Sequence, residues 1–439
     1  MSRFVVFVAM LSIWTLASVS NSQVNAENWL RFRGENGAGI CDSAKVPMTW
    51  SSTENLKWSI SLPGPGASSP IVVDDQLFLT CYTGYGVDQT APGELKDLKR
   101  HLLAFNRGSG ELLWNTTIDS DGAEDPYTGF INQHGYASST PASDGTHLYV
   151  IFGKSGVFAF DLTGKEVWRR KLGQLSDPNQ WGSGASPMLY DDLLIVNAGI
   201  TDHAMIAFNK STGEEVWRVS DDSFTNCWST PIIVEASGRK ELVFATPGRI
   251  FALDPKSGKE FWRANSPIKE AVSGSLNHLD GVVYLMGGRQ GSAIAIRCGG
   301  TGDVSETNTV WQKSLRSGTG TPVIIDRRLY WSSSQLANCA DCGTGSEIFK
   351  ERFKRPNDSG KESGGRGPTG DYASAIAIGS NVLVVSRSGQ AQMWSSEKSY
   401  KPISDSSFSD DPGPFNGTPA VIDGMIYIRS DSKLYCVGS

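Results

Sequence analysis

The stretch FALDPKSGKEFW, Phe251–Trp262, decides the fold, because it is one of four copies of a single pattern. Each copy runs from a short apolar strand through Asn or Asp and a Gly-containing turn to a second strand that ends in Trp. The other copies are Leu102–Trp114, Phe158–Trp168 and Ile206–Trp217. A repeat of about 45 residues built from short strands is typical of a β-propeller.

A second landmark precedes these hairpins and gives the number of blades. It is a pair of small residues, usually Ser or Thr followed by Pro, and the second residue of the pair recurs eight times as Pro70, Pro141, Pro187, Pro231, Leu276, Pro322, Ala375 and Pro419. The spacings are 71, 46, 44, 45, 46, 53 and 44 residues. An Asp follows four residues later at Asp74, Asp191, Asp280, Asp326 and Asp423, and one residue early at Asp144. The sequence therefore predicts an all-β, eight-bladed propeller of four-stranded antiparallel blades.

The two ends of the chain predict how the ring closes. The last repeat has three strands and stops before a Trp-bearing strand, whereas an unmatched strand with Trp58, Leu56–Gly64, precedes the first repeat. We expect this N-terminal strand to complete the eighth blade, because a closed ring leaves no open sheet edge to aggregate.

The recurring tryptophans have a structural interpretation and a functional one. A Trp that lies flat against the Gly turn of a neighbouring blade joins the two blades. The alternative is a set of cofactor-binding aromatics, and interblade packing is favoured. We predict docking roles for Trp58, Trp114, Trp168, Trp217, Trp262 and Trp311. The sixth and seventh repeats have no clear equivalent, so their interfaces should be built differently.

Composition and the N-terminal segment predict an exported protein. The 439 residues carry a net charge of −6 with scattered Lys and Arg, which disfavours nucleic acid as a partner. Residues 1–26 combine Arg3, an apolar run and the small-residue site Val24–Ala26, as in a cleaved signal peptide, although an uncleaved anchor stays open. We expect residues 27–55 to pack on the ring and residues 56–439 to form the propeller, a monomer in the periplasm or outside the cell with no further membrane span.

The cysteines predict little beyond one local bond. Seven cysteines are an odd number, which makes a poor disulfide framework for an exported chain. Cys339 and Cys342 form a lone C-x-x-C, for which a loop-closing disulfide is favoured over a redox pair or half of a metal site. No complete metal site is predicted.

Candidate ligand-binding residues cluster where segments between blades open on one face of the ring. Aromatic, amide and cationic residues there suit a sugar, a peptide or a planar ring, while capped turns are the alternative interpretation for each. The candidates are His134, Tyr136, Trp181, Trp228, Arg289, Gln290, Tyr372 and Asn416, and inner loops add Lys154, His203 and Arg387. Long insertions at 83–100, 119–137 and 354–371 offer further recognition surface. No catalytic Ser, His and Asp combination is visible, so no catalytic residue is predicted.

The four Trp hairpins resemble the tryptophan-docking repeat of the PQQ-like (pyrroloquinoline quinone) propeller family. The opening Asn28–Pro70 is similar to the leader of exported planctomycete members. The resemblance implies either a quinoprotein dehydrogenase with PQQ, calcium and commonly a pair of adjacent cysteines, or a non-catalytic propeller such as the one in the outer-membrane protein assembly machinery. The chain has no adjacent cysteines and no recognisable calcium set. We therefore predict a binding or scaffold module for a protein or carbohydrate without a cofactor; the alternative is a PQQ-dependent oxidoreductase acting on alcohols or sugars.

Overall fold

Eight four-stranded antiparallel blades follow one another around a closed ring, which confirms the predicted architecture. The structure is a computed structural model that describes residues 28–42, 45–120, 124–288, 290–353 and 372–439. The predicted signal peptide and the 354–371 insertion lie outside the described residues. Each blade runs from an inner strand at the ring axis to an outer strand at the rim, as the alternation of short apolar strands and turns requires.

Within each blade, four strands succeed one another from the ring axis to the rim. Blades 1 to 4 contain Ile71–Val73, Gln76–Thr83, Lys99–Asn106 and Leu112–Asp119; Ala142–Ser143, His147–Ile151, Val157–Asp161 and Glu166–Arg170; Met188–Tyr190, Leu193–Ala198, Ala204–Asn209 and Glu215–Ser220; and Ile232–Ala236, Arg239–Thr246, Arg249–Leu253 and Glu260–Asn265. Blades 5 to 8 contain Asn277–Leu279, Val282–Gly287, Ser292–Arg297 and Thr309–Lys313; Val323–Ile325, Arg328–Ser333, Leu336–Asp341 and Glu347–Arg352; Ile376–Ile378, Asn381–Val385, Ala391–Ser395 and Pro402–Ser406; and Ala420–Ile422, Met425–Arg429, Lys433–Val437 and Leu56–Ser61.

Two further strands pair in parallel with blades, and the helices are short. Ile40–Cys41 joins the inner strand of blade 7, and Gly302–Asp303 joins the outer strand of blade 4. The α-helices are Ile131–His134, Gly199–Asp202 and Ser305–Asn308, and the 3-10 helices are Glu35–Gly37, Leu95–Asp97 and Gly153–Ser155. Within the described ranges, no helix has the length and apolar character needed to cross a membrane.

The N-terminal strand closes the ring as predicted. Leu56–Ser61 pairs antiparallel with Lys433–Val437, and Trp58 stands opposite Cys436. The indole N–H of Trp58 donates to the Arg107 carbonyl of blade 1 at 3.2 Å. Arg107 in turn pairs with Asp423 of blade 8 at 2.5 Å, so the closing interface has both sheet and side-chain contacts.

The Asp that follows the anchors has a backbone role at the first turn of the blade. Asp74, Asp191, Asp280, Asp326 and Asp423 all have φ between 47° and 50°, a left-handed conformation that Asp tolerates better than most residues. Hairpin turns of this hand match the twist of the strands that they join. The early Asp144 instead caps its turn, because its carboxylate accepts the Thr146 and His147 N–H groups at 3.0 and 2.8 Å.

Five of the six predicted docking tryptophans share one geometry. Each indole N–H donates to a backbone carbonyl of the next blade, with Trp168 reaching Lys210 at 2.9 Å and Trp217 reaching Pro255 at 3.0 Å as examples. The ring lies on the Gly of the next blade's outer turn, so a Cβ on Gly213 would stand 2.6 Å from Trp168. The five tryptophans in this arrangement are Trp58, Trp114, Trp168, Trp217 and Trp311.

The remaining interfaces depart from this geometry for visible reasons. The segment that follows the third strand of blade 5 pairs with the outer strand of blade 4, with Gly302 opposite Trp262. The indole N–H of Trp262 donates instead to the Glu241 carboxylate of its own blade at 2.7 Å. In blade 6, Phe349 takes the Trp position and lies 6.1 Å from the Tyr400 ring. Blades 7 and 8 meet through Phe408, which stacks on Tyr435 at 3.8 Å.

Replacing Gly213 by Ala should destabilise the protein far more than the same change at Gly238. Both residues have φ near 70°, so both variants incur a left-handed penalty of about 1–2 kcal/mol. Only Gly213 faces an indole, since a Cβ on Gly238 meets nothing within 4 Å, and overpacking adds about 1–3 kcal/mol. Urea unfolding of the two variants gives the difference, and equal losses would contradict the docking geometry.

The predicted Cys339–Cys342 disulfide is corrected by the structure, in which both thiols are free and buried. Cys339 lies in the strand Leu336–Asp341, whereas Cys342 is the first residue of the turn that follows it. Cys339 packs with residues of blade 7, whereas Cys342 packs with residues of blade 5. Burial raises the pKa of Cys339 to about 11 and that of Cys342 to about 12, as for unreactive core thiols.

Candidate functional site

A cavity of about 360 Å³ lies on the ring axis, and its floor is a ring of eight hydroxyls. One Ser or Thr from each blade stands directly before the anchor residue: Ser69, Thr140, Ser186, Thr230, Ser275, Thr321, Ser374 and Thr418. Each backbone N–H donates to the hydroxyl oxygen of the next blade at 2.9–3.1 Å, and Thr418 closes the circle on Ser69. Ser and Thr alternate around this circle, which we call the hydroxyl ring.

The wall of the cavity comes from the residues two positions before the hydroxyl ring. Residues i and i−2 of an extended segment face the same side, so both tiers point to the axis. The second tier consists of Ala67, Ser138, Gly184, Trp228, Ser273, Thr319, Tyr372 and Asn416. The floor is therefore nearly uniform, and the wall differs from blade to blade.

The opposite end of the axis is closed by residues 28–42, which we call the axial plug. Trp29 exchanges backbone hydrogen bonds with Val72 of blade 1, and Asn36 binds the backbone of Ile233 in blade 4. Phe32 reaches the cavity floor. The cavity therefore opens on one face of the ring and is blind at the other.

The axial plug places a buried cation beneath the hydroxyl ring. The Arg33 guanidinium donates to the carbonyls of Pro322 at 2.6 Å and Ala375 at 3.2 Å, the residues that directly follow Thr321 and Ser374. Burial lowers the pKa of Arg33 to about 9, which leaves it protonated at neutral pH. Among the described residues, no carboxylate lies within ion-pair distance of it.

One wall of the cavity mouth is aromatic. The Phe130 ring lies 4.5 Å from that of Trp181, and Trp181 lies 5.5 Å from Trp228. The indole N–H of Trp228 donates to the Gly182 carbonyl at 2.6 Å, which fixes the plane of the Trp228 ring. Phe130 is 47% exposed, so this wall offers apolar ring faces to a ligand that enters from solvent.

The insertion after blade 1 that carries Phe130 is held by two buried ion pairs. Glu124 pairs with Arg100 at 2.9 Å, and Asp125 pairs with Lys154 at 2.7 Å. The short helix Ile131–His134 follows and turns His134 toward the cavity. The pair with Asp125 gives Lys154, an inner-loop candidate, a structural role. Removal of either member of a buried ion pair leaves an uncompensated charge.

His134 is a neutral positioning group in this wall. Its Nε2 donates to the Trp181 carbonyl at 2.8 Å, and its Nδ1 lies 2.6 Å from the Ser138 hydroxyl. Burial lowers the pKa of His134 to about 4. Both ring nitrogens are occupied, so His134 orders the loop and does not offer a free base to the cavity.

Replacement of His134 should reduce the loss of protein stability at acid pH. The unfolded histidine titrates near 6.5 and the folded one near 4, so the unfolded state binds more protons within that window. Stability contributed by neutral His134 is then lost as pH falls from 6.5 to 4. The melting-temperature gap between wild type and His134→Gln should shrink across this range, and a constant gap would contradict the assignment.

The opposite wall combines Tyr372, Arg387 and Asn416. The Arg387 guanidinium lies 4.8 Å from the Tyr372 ring centre and donates to the Gln133 carbonyl at 3.1 Å. Asn416 donates to the same carbonyl through Nδ2 at 2.8 Å, which fixes its amide orientation. Its Oδ1 is buried with no hydrogen-bond partner in the described part of the chain, and Asn416 lines the cavity. A ligand donor would satisfy this oxygen.

The structure brings five of the eight sequence candidates together at the cavity: His134, Trp181, Trp228, Tyr372 and Asn416. Tyr136 instead belongs to the insertion after blade 1, where its hydroxyl donates to the Asp125 carbonyl at 2.8 Å. Gln290 is exposed and does not line the cavity, and Arg289 lies outside the described residues. Sequence reasoning missed the hydroxyl ring, Phe32 and Phe130, although Ser or Thr before each anchor was a visible signal.

The comparisons with known proteins agree with the repeat pattern. A family model described as outer membrane protein assembly factor BamB matches residues 98–351, more than half of the chain. The chain belongs to this family. The predicted resemblance to PQQ-like propellers is thereby confirmed, and the planctomycete origin stays a prediction.

Solved structures similar to this family member share its fold at low sequence identity. BamB from Moraxella catarrhalis is 14% identical with a TM-score of 0.57, over 87% of this chain and 98% of that one. A europium-containing methanol dehydrogenase is 10% identical with a TM-score of 0.62, over 93% of this chain and 97% of that one. Likeness at this identity shows the propeller fold alone.

Curated relatives of this family member match a part of its length. A quinoprotein ethanol dehydrogenase of Pseudomonas aeruginosa is 30% identical over 166 residues, 34% of this chain and 26% of that protein. A 1-butanol dehydrogenase (quinone) of Thauera butanivorans is 29% identical over 165 residues, 34% of this chain and 25% of that protein. The chain spans about a quarter of the length of the curated relatives it matches.

The cavity does not fit the calcium-bound PQQ that the quinoprotein resemblance implies. Calcium requires several carboxylate, amide or carbonyl oxygens. Within the described ranges, no three His, Cys, Asp or Glu side chains are grouped to hold a metal. The one carboxylate among the described lining residues is Glu270, which is exposed, and one carboxylate does not supply the oxygen set that calcium needs.

Proposed function

We propose that the protein is an exported binding module that takes a carbohydrate in its axial cavity. The observation that carries this proposal is the meeting of a hydroxyl floor with an aromatic wall in one blind cavity of about 360 Å³. This volume is within the range of small-ligand sites, roughly 300–1,000 Å³. Export is supported by the signal-peptide pattern of residues 1–26 in the sequence.

The chemistry of the cavity favours a sugar over other small ligands. A sugar ring has apolar C–H faces and an edge of hydroxyls that both donate and accept. Trp181 and Trp228 offer ring faces for the first, and the hydroxyl ring offers donors for the second. Asn416 Oδ1 needs a ligand donor, which a sugar hydroxyl supplies.

A protein partner is the competing ligand, because the family is described as an outer membrane protein assembly factor. A folded partner would contact the exposed rim, whereas the polar groups that favour a ligand lie inside the cavity. A peptide end could enter the cavity but brings fewer hydroxyls to its floor. The carbohydrate is therefore the better match.

Calorimetric titration of the full chain with a panel of linear oligosaccharides tests this proposal. We expect at least one of them to bind to wild type and to bind weakly to Trp181→Ala. Binding of peptides with no sugar binding would contradict the carbohydrate and favour a protein partner. A calcium-dependent PQQ signal with dye reduction in the presence of alcohols would favour the quinoprotein alternative instead.

A further inference from the structure

We propose that the floor of the axial cavity binds a carboxylate, so that the ligand is the end of an acidic saccharide such as an oligouronate. This inference rests on the proposed carbohydrate-binding function and specifies its ligand class. Three observations lead to it: unused donors on the floor, buried positive charge around it, and a blind end beneath it.

The floor has O–H donors that no protein acceptor uses. Each oxygen of the hydroxyl ring accepts one backbone N–H, and none of the eight O–H groups donates to a described protein atom. Thr321 and Ser374 illustrate this, because each accepts from the preceding blade and has its proton left over. A group made only of acceptors, such as a carboxylate, uses several such donors at once.

Three buried guanidiniums surround the floor. Arg33 lies below it, and Arg429 contacts Ser68, next to Ser69, at 3.3 Å. Arg387 lies beside Asn416, since both donate to the Gln133 carbonyl. Within the described ranges, none of the three forms an ion pair with a carboxylate.

The carboxylates near the cavity do not cancel this charge. Asp431 accepts the Gly66 N–H at 3.3 Å and offsets the charge of Arg429. The buried Asp411 lies near Asp431, and its carboxylate accepts the Ser430 and Tyr435 hydroxyls. Glu270 is exposed, where solvent weakens its field. Arg33 has no carboxylate within ion-pair distance among the described residues, so its charge beneath the floor favours an anionic ligand at this end of the cavity.

The blind end decides which part of the ligand reaches the floor. Phe32 of the axial plug lines the cavity, and Arg33 lies beneath it, so a saccharide chain cannot thread through the ring. A terminal residue must enter first. Its carboxylate then meets the hydroxyl ring, while its hydroxyls reach Asn416 and its C–H face lies on Trp181.

The test compares charged and neutral forms of the same sugar. The full chain is titrated by calorimetry with linear trimers of galacturonate, glucuronate and mannuronate, and with the methyl ester of each. We expect at least one acid to bind about ten-fold more tightly than its own ester, since charge-assisted hydrogen bonds are about twice as strong as neutral ones. Equal binding of acid and ester would overturn the carboxylate inference and leave the carbohydrate function standing, and so would binding of a neutral oligosaccharide when neither acid nor ester binds. Binding of no saccharide at all would overturn both.

Two matched variants locate the effect. Thr321→Val removes one floor O–H donor at nearly constant volume, together with the acceptor of the Ser275 N–H, and we expect the acid-to-ester ratio to fall about three-fold or more. Thr246→Val makes the same residue change at a fully buried Thr outside the cavity, whose Oγ1 has no hydrogen-bond partner among the described residues, and should leave the ratio unchanged. Melting curves verify that both variants fold, and an unchanged ratio in a folded Thr321→Val would overturn the inference.

Discussion

Replacing Leu56–Ser61 by a six-residue Gly/Ser linker is expected to abolish cooperative folding. The change leaves blade 8 with three strands and exposes the edge of Lys433–Val437. It also removes Trp58, whose indole joins blade 8 to Arg107 of blade 1. An open ring has one unsealed interface and an unpaired edge, which favours aggregation over a unique fold.

Calorimetric unfolding and size-exclusion chromatography measure this effect. We expect a broad transition or none, together with soluble aggregates, in place of one sharp unfolding peak. Gly/Ser replacement of residues 87–91, an exposed stretch of the 83–100 insertion, is the control and should keep the sharp transition. A monomeric, cooperatively unfolding variant without the strand would contradict ring closure as the source of cooperativity.

Truncation of Trp168, a predicted docking residue, and of Trp181, a predicted ligand-binding residue, should give opposite results. Trp168→Ala removes a buried docking ring and should cost about 3–5 kcal/mol of unfolding free energy. Trp181→Ala removes a half-buried cavity ring and should cost about 1 kcal/mol or less. Sugar affinity should behave the other way, with about a 10- to 100-fold loss in Trp181→Ala and none in Trp168→Ala.

Urea unfolding and calorimetric titration of the two variants measure these two effects separately. The variants serve as controls for each other, because each removes one indole. Loss of stability in both would place Trp181 in the ring's packing. Loss of affinity in both would mean that the cavity depends on the docking of blades 2 and 3.

The repeat pattern made the scaffold predictable from sequence. A period fixed by Gly turns and Trp positions specifies blade number, because each blade must repeat the same turn and the same docking contact. The closing strand followed from counting strands at the two ends. Trp262 departed from the pattern because the segment after the third strand of blade 5 pairs with its strand. The Phe349 position departed because Phe replaces the indole there.

The site was only partly predictable, for physical reasons. The second tier of the cavity lies two residues before the hydroxyl ring, so counting back from the anchors finds Trp228, Tyr372 and Asn416. The axial plug has no periodicity, and its Arg33 contacts Ala375, 342 residues away in sequence. Tyr136 sits next to the cavity loop in sequence, but its phenol satisfies the Asp125 carbonyl inside the insertion.

The claim that the ligand sits on the hydroxyl ring is tested most directly by hydrogen–deuterium exchange with and without the tightest-binding trimer. We predict protection at the eight short segments that line the axis, residues 67–69, 138–140, 184–186, 228–230, 273–275, 319–321, 372–374 and 416–418. Outer strands such as Glu166–Arg170 should exchange unchanged. Protection confined to outer strands or to one surface loop would contradict the axial site.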